Sequence, residues 1–467
     1  MMESNMDFSF SLGEFQMEIV IAGAGKLGEL LLKDLSGAGY DVTLIELNPD
    51  RLEQMINSFD VTGGEGNGAL YDVQEEAGVS GCDLFIAAMP QDESNIIAGI
   101  TAHKLGARFC VTRVRSPEFS KQMGFLRESM GIDVLIHPDL EAARDIARNL
   151  GFPTALELEH FDRGRVNIVT YPLPKDSPLR GKQLKDLKPI LTNGNICAIE
   201  RDGQVFICNG QSEILDGDHL HVTGTTRHLN EFYERMGGKR QRMDNILIIG
   251  ASRITHYLLP LLARLHIRAK VIEVNPLLAE QLAAEFPEVE VIQGDGTDQE
   301  FLRQERVSNF DAVVALTGID EENILVSIYA SRLKVPKTIT KVNRTALLDV
   351  LNNVGLQAIV TPRVLISDQM LRLARSLVRT HGSNIQALYR IAGHRLEALQ
   401  IAVDPEARII GHSLKNLPLK DNVMIAAITR NDQVIYPSGN DSIEAGDHVI
   451  ITTTHQGYRD IDDILED

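Results

Sequence analysis

With Gly23 laid on Gly250, the two halves of this chain run in parallel over most of their length. Glu46 and Glu273 each stand 23 residues beyond their glycine. Asp83 in CDLFIAAM meets Asp311 in FDAVVALT, DESN at 92–95 meets DEEN at 320–323, and RVRSPEF from Arg113 meets KVNRTAL from Lys341. The repeat continues downstream. SPLRGKQLKDL at 177–187 resembles ARIIGHSLKNL at 407–417, and 195–225 resembles 423–454 through their GDHL and GDHVI ends. A register kept over such distances is the mark of duplication, and it binds every later reading to both halves.

Each half is a larger segment followed by a smaller one. The expected organisation is an extension at 1–16, then four domains at 17–138, 150–228, 244–362 and 383–460. Residues 139–151 and 363–381 read as connecting helices, and the basic, glycine-containing 234–243 reads as the linker between halves. In the larger segments short apolar runs (MEIVIAG, DVTLIEL, CDLFIAAM, RFCVTRVR) alternate with amphipathic stretches, with Gly37 or Gly39 and Gly106 near helix ends. That alternation predicts an α/β fold, a parallel doubly wound sheet of Rossmann-like type, present twice. The smaller segments carry alternating strands and Gly-Asp turns and predict compact α+β modules.

The first larger segment holds Gly23-Ala24-Gly25-Lys26-Leu27-Gly28 between a strand and a helix. The first glycine permits a tight turn, the second lets backbone approach a pyrophosphate, and the third lets helix and strand pack closely. The helix start then offers free N–H groups to phosphate. Glu46, at the end of the next strand, suits ribose hydroxyls and repels a 2′-phosphate, which favours NAD(H) or an adenine nucleotide over NADP. Arg51, one turn further on, reads equally as a phosphate contact or as a solvated helix arginine.

The remaining composition mostly excludes. Lys and Arg number 46 against 65 Asp and Glu, a net charge of −19 that disfavours nucleic acid as a partner. Cys82, Cys110, Cys197 and Cys208 form no C-x-x-C pair and read as small buried residues of a reducing compartment. No run is long enough to cross a bilayer and the N-terminus lacks the pattern of a signal peptide, so the expectation is a cytoplasmic protein. No nucleophile elbow or H-E-x-x-H motif is present, and His103, His137 and His160 stand alone. Asp216, Asp218, His219, Asp447 and His448 read as turn residues rather than as a metal site.

These residues carry a resemblance. IVIAGAGKLG, the Gly64-Glu65-Gly66 loop before EEAGV, DLFIAAMPQDESNIIA, RVRSPEF and the GDHL and GDHVI ends are similar to the RCK (KTN) regulatory proteins of potassium transport, over nearly all of 17–460. The resemblance implies an RCK-N and a smaller RCK-C domain, each twice. It also implies a non-enzymatic subunit peripheral to the inner face of the membrane, assembled as a dimer or tetramer ring beneath a potassium-translocating membrane protein. NAD(H), or ATP or ADP, is then an effector.

Carried over residue by residue, Gly23, Ala24, Gly25, Lys26, Leu27 and Gly28 surround the phosphates and Glu46 holds the ribose. Met89 and Pro90 follow the fourth strand, and Arg113 faces the ligand from the next. Met89 departs from the Thr or Ser common there, so no hydroxyl is available. The second half offers Gly250, Ala251, Ser252, Arg253, Ile254, Glu273, Thr317 and Lys341. Here Ser252 puts a side chain where a pyrophosphate would press, and Thr255 is expected to loosen helix–strand contact. Thr317 keeps the hydroxyl the first half lost, and Arg253 either meets a phosphate or points to solvent. The rival readings are an NAD-dependent oxidoreductase with catalytic groups in the small domains, which an NADH turnover assay separates, and a scaffold that binds no nucleotide.

Overall fold

The computed structural model describes residues 17–466 except 117–129, 153–154, 156, 162–164, 188, 192, 239–242, 348–355, 357, 378–383, 393–394, 456–457 and 459. The expected extension at 1–16, part of the basic linker, the end of the second connecting helix and Pro117–Phe119 of RVRSPEF lie outside the described residues. The chain divides into two compact units, Met1–His137 with Ile366–Ala374, and Pro138–Leu365 with Arg375–Asp467.

The first unit is built on a sheet of β1 (Glu18–Ala22), β2 (Asp41–Glu46), β3 (Thr62–Glu65), β4 (Leu84–Ala87), β5 (Cys110–Arg113) and β6 (Val134–Ile136), all neighbours parallel. Its strand order β3-β2-β1-β4-β5-β6 reverses between β1 and β4, the switch point where open α/β sheets take ligands. The apolar runs are continuous because helices cover both faces: α1 (Lys26–Gly37), α2 (Pro49–Ser58), α3 (Tyr71–Glu76) and α4 (Asp92–Leu105). Helix α1 buries Leu27, Leu31, Leu32 and Leu35 at helical spacing, each contributing roughly 1.5–3 kcal/mol of transfer free energy. Asn48 caps α2 by accepting from the Arg51 N–H, with Pro49 at the first helical position, and α4 stops on Gly106 in the left-handed region. Residues 366–374 also belong to this unit. Ser367 donates to Asp34 of α1 at 2.6 Å.

The second unit begins with α5 (Pro138–Gly151). A small antiparallel sheet follows, made of β7 (Glu157–Phe161), β8 (Val166–Pro172), β9 (Gly194–Arg201), β10 (Gln204–Ile207) and β11 (His219–Gly224) in the order β10-β9-β11-β8-β7, then α6 (Thr226–Arg235). The second parallel sheet repeats the first. Its strands are β12 (Asn245–Ile249), β13 (Arg268–Glu273), β14 (Glu290–Gln293), β15 (Ala312–Ala315), β16 (Lys337–Lys341) and β17 (Ala358–Val360), in the order β14-β13-β12-β15-β16-β17. Helices α7 (Arg253–Arg264), α8 (Pro276–Glu285), α9 (Gln299–Gln304) and α10 (Asp320–Arg332) lie between them. After α11 (Pro362–Leu377) comes the second small sheet, β18 (Ile385–Ile391), β19 (Leu396–Ala402), β20 (Val423–Arg430), β21 (Gln433–Ile435) and β22 (His448–Thr453), ordered β18-β19-β22-β20-β21.

Two packings inside this unit were not legible from the repeat. Helix α5, expected as a connector, lies against α7 of the second half. Ala142, Ala143, Ile146, Ala147 and Leu150 share one buried cluster with Ile254, Leu258 and Leu262. The two small sheets also meet, through Ile168, Cys197 and Ala198 on one side and Ala398, Ala426, Ala427 and Ile450 on the other. Arg165–Asp432 and Arg395–Glu200 ion pairs, each 2.6 Å, join their rims.

The two acidic turns of these sheets hold more than their sequence suggested. Asp218, fully buried, receives Arg201 through both carboxylate oxygens at 2.6 and 2.8 Å. Asp447 receives Arg430 at 2.8 and 2.7 Å. Each carboxylate also accepts a backbone N–H within its own turn, from Leu215 and Glu444. All four cysteines are buried thiols, and burial raises each pKa.

Candidate functional site

The first glycine loop begins where β1 ends. Gly23 adopts φ +105°, and a Cβ there would sit 3.0 Å from the Met89 backbone, so only glycine fits. Its N–H donates to Ile45 at 2.8 Å, which ties the loop to the end of β2. A Cβ on Gly28 would lie 1.9 Å from the Gly23 carbonyl oxygen, whereas one on Gly25 would meet nothing within 4 Å. The loop is therefore closed on its sheet side by Gly28 and open outward at Gly25. Gly25 and Lys26 are exposed, while Ala24 and Leu27 are buried.

Glu46 is fixed from two sides. Its Oε2 accepts the Ala24 N–H at 2.6 Å and its Oε1 accepts the Asn48 N–H at 3.0 Å. A carboxylate held by two backbone donors keeps lone pairs free at a set position. Arg51 is not a freely solvated helix arginine. It pairs with Glu29 at 2.6 Å and donates to the Ala24 carbonyl at 3.1 Å, bracing the loop from α2.

On the far side of the switch point Met89 is buried, its thioether core placed against Gly23 and Gly68. Pro90 is exposed. The Arg113 guanidinium donates to the carbonyls of Met89 and Pro90, so it clamps the loop after β4. Sequence reasoning passed over the residue that organises this loop, Asn95. Fully buried, it accepts the Met89 N–H at 2.8 Å and donates to the carbonyls of Met89 and Arg113, both at 3.0 Å. Asp92 accepts the N–H groups of Arg115 and Ser116 at 2.9 and 2.8 Å. The only trace in the sequence was the recurrence of D-E-x-N in both halves.

The second half rebuilds this frame. Gly250 has φ +106° and donates to Ile272 at 2.8 Å. Glu273, buried, accepts from Ala251 at 2.6 Å and from Asn275 at 2.7 Å. Asn323 joins Thr317 to Lys341 as Asn95 joins Met89 to Arg113. Lys341 donates to the Thr317 carbonyl at 2.8 Å, and its burial lowers the lysine pKa. The Thr317 hydroxyl exchanges hydrogen bonds with the Ile319 backbone at 3.1 and 3.2 Å.

The structure corrects the expectation for Thr255. The side chain is fully buried and its Oγ1 donates to the Gly250 carbonyl oxygen at 2.6 Å, so the contact the glycine made by absence is made by a hydrogen bond. Ser252 stays near it, Oγ to Oγ1 at 3.3 Å, and Ile254 is buried. Arg253 does not point freely into solvent. It pairs with Asp139 of α5 at 3.0 Å. Of the isolated histidines, His103 is exposed and His137 buried.

A parallel sheet with a glycine turn after its first strand and an anchored carboxylate after its second is a Rossmann-type domain. This chain carries two, each followed by an antiparallel module. The model of the TrkA-N domain matches residues 19–138 and 246–362, and that of the TrkA-C domain matches 168–237 and 398–466. The chain belongs to the TrkA family. It is 32% identical over 449 residues to the "Trk system potassium uptake protein TrkA homolog" of Archaeoglobus fulgidus, covering 96% of this chain and all of the relative. The fold is that of the GsuK RCK domain (TM-score 0.58, 16% identity, 94% of this chain and 93% of that one). It is also that of the GsuK channel bound to NAD (TM-score 0.60, 17% identity, 94% and 77%).

Proposed function

We propose that the chain is the regulatory subunit of a potassium uptake system, and that nucleotide at the first loop sets its state. The carrying observation is the loop itself: open at Gly25, closed by Gly28, with Glu46 fixed beside it. Phosphates lie over the N–H groups of Gly25 to Gly28 at the start of α1, where the helix dipole adds to them. Glu46 takes the ribose hydroxyls and disfavours a 2′-phosphate. NAD(H) fits this set, and ADP or ATP shares its adenosine half.

The partner is an integral-membrane potassium transporter of Trk type, met from the cytoplasmic side by a ring of these chains. No described helix is long and apolar enough to cross a membrane. A bound nucleotide shifts such an assembly only by the difference of its affinities for the two states, so the contacts at Glu46 and Gly25 must differ between them. Gly25→Asp places a carboxylate against the phosphates. It is expected to abolish NADH and ADP binding in calorimetry and, with it, nucleotide control of potassium uptake in cells. If binding is lost and control persists unchanged, the reading fails.

A further inference from the structure

The second loop differs from the first in what its cations face. Arg253, the first residue of α7, holds the Asp139 carboxylate at 3.0 Å, and Asp139 is largely shielded while Arg253 is half exposed. Burial lowers the Lys341 pKa, and the Asp139 and Asp320 carboxylates pull against that, so Asp139 lies within the field of a second site cation. Asp139 is also held in place. It sits in the first turn of α5, where a negative charge suits the helix start, and the rest of α5 is locked on α7 through Ala142, Ala143, Ile146 and Leu150.

This carboxylate has no counterpart elsewhere in the repeat. The position equivalent to Asp139 after β17 is Arg363, a cation, which donates to the Asn343 carbonyl at 3.0 Å. The first-loop residue equivalent to Arg253 is Lys26, which is exposed.

We infer that Asp139 is an internal occupant of the second nucleotide loop, its carboxylate standing where a phosphate would be met by Arg253, and that nucleotide enters this loop only by displacing it. The inference rests on the reading that these loops are nucleotide sites. It gives the second half a gate rather than a lost site. Serine and threonine in place of glycine leave the loop framed, with Gly250, Glu273 and Asn323 in their roles, and Asp139 decides occupancy. Displacement pulls on the start of α5, so a nucleotide in the second loop acts directly on a helix packed along α7.

Equilibrium dialysis of the full-length chain with labelled ADP counts the sites. Asp139→Asn is expected to take up about half an ADP more per chain than the native protein at a free concentration midway between the two dissociation constants, through a gain of about tenfold in second-loop affinity, the size of an ordinary coupling between competing occupants. Asp139→Ser, well suited to a helix start, should do the same and guards against a folding fault in the first variant. Asp139→Glu should keep the native count, and Asp139→Asn with Arg253→Gln should return to it. An identical count for the native chain and both neutral variants overturns the inference, as does a gain that survives removal of Arg253. The native chain's own count tests the first loop separately. Native chain without ADP sinks that reading, while the increment on removing Asp139 tests this one.

Discussion

Gly28 and Thr255 occupy equivalent positions and answer one steric demand in two ways. At Gly28 the Gly23 carbonyl oxygen fills the space of a side chain. At Thr255 the side chain is present and bonds that oxygen at 2.6 Å. Thr255→Val keeps the volume and removes the donor, leaving the buried Gly250 carbonyl short of a partner. The expected cost is about 1–3 kcal/mol in chemical denaturation; a change near zero would show that the bond does nothing for stability. The sequence made the glycine legible because its absence of a side chain is a known requirement of the loop. It misled at Thr255 because a spacing rule records which residue is missing and not which bond its replacement can make. Arg51, Arg253 and Asp139 were illegible for a related reason: each meets a partner brought near only by the fold.

The loops after β4 and β15 are held by an asparagine from the following helix and by a cation from the next strand, in the same pattern twice. The repeat marked D-E-x-N as equivalent in both halves, but periodicity cannot show that the asparagine points inward at a backbone turn. Helix α10 has four polar residues in its first turn, and the two that are buried are Asp320, which accepts the N–H groups of Asn343 and Arg344, and Asn323. Asn323→Ala removes three hydrogen bonds to the backbone of Thr317 and Lys341. It should cost about 2 kcal/mol and release the amide of Thr317 to faster hydrogen exchange. Unchanged protection at Thr317 would contradict the anchoring role. The sheets themselves were the readable part of these elements, since strands buried on both faces print as unbroken apolar runs.

Across the whole molecule, the two small sheets bury a polar group at their meeting. His221 is fully buried, its Nδ1 at 2.9 Å from the Thr170 hydroxyl, with Nε2 buried and without a hydrogen bond. Burial pushes its pKa down to about 4; Glu200 opposes this, while His219 and Arg395 reinforce it. The unfolded chain takes up this proton near pH 6.5 and the folded chain only near 4, so stability falls as pH drops between those values. From pH 7 to pH 5 the loss from this one group is about 2 kcal/mol. Denaturation midpoints for the native chain and His221→Gln should therefore converge as the pH is lowered, and parallel curves would remove His221 from the account. Four domains and their order could be expected from the repeat, but their pairing could not, because a repeat describes one copy at a time. The helix exchange shows the limit best. Residues 366–374 complete the first unit, and α5, from the first half, packs in the second. A lone half would leave the Ala142–Leu150 face bare until another copy covered it.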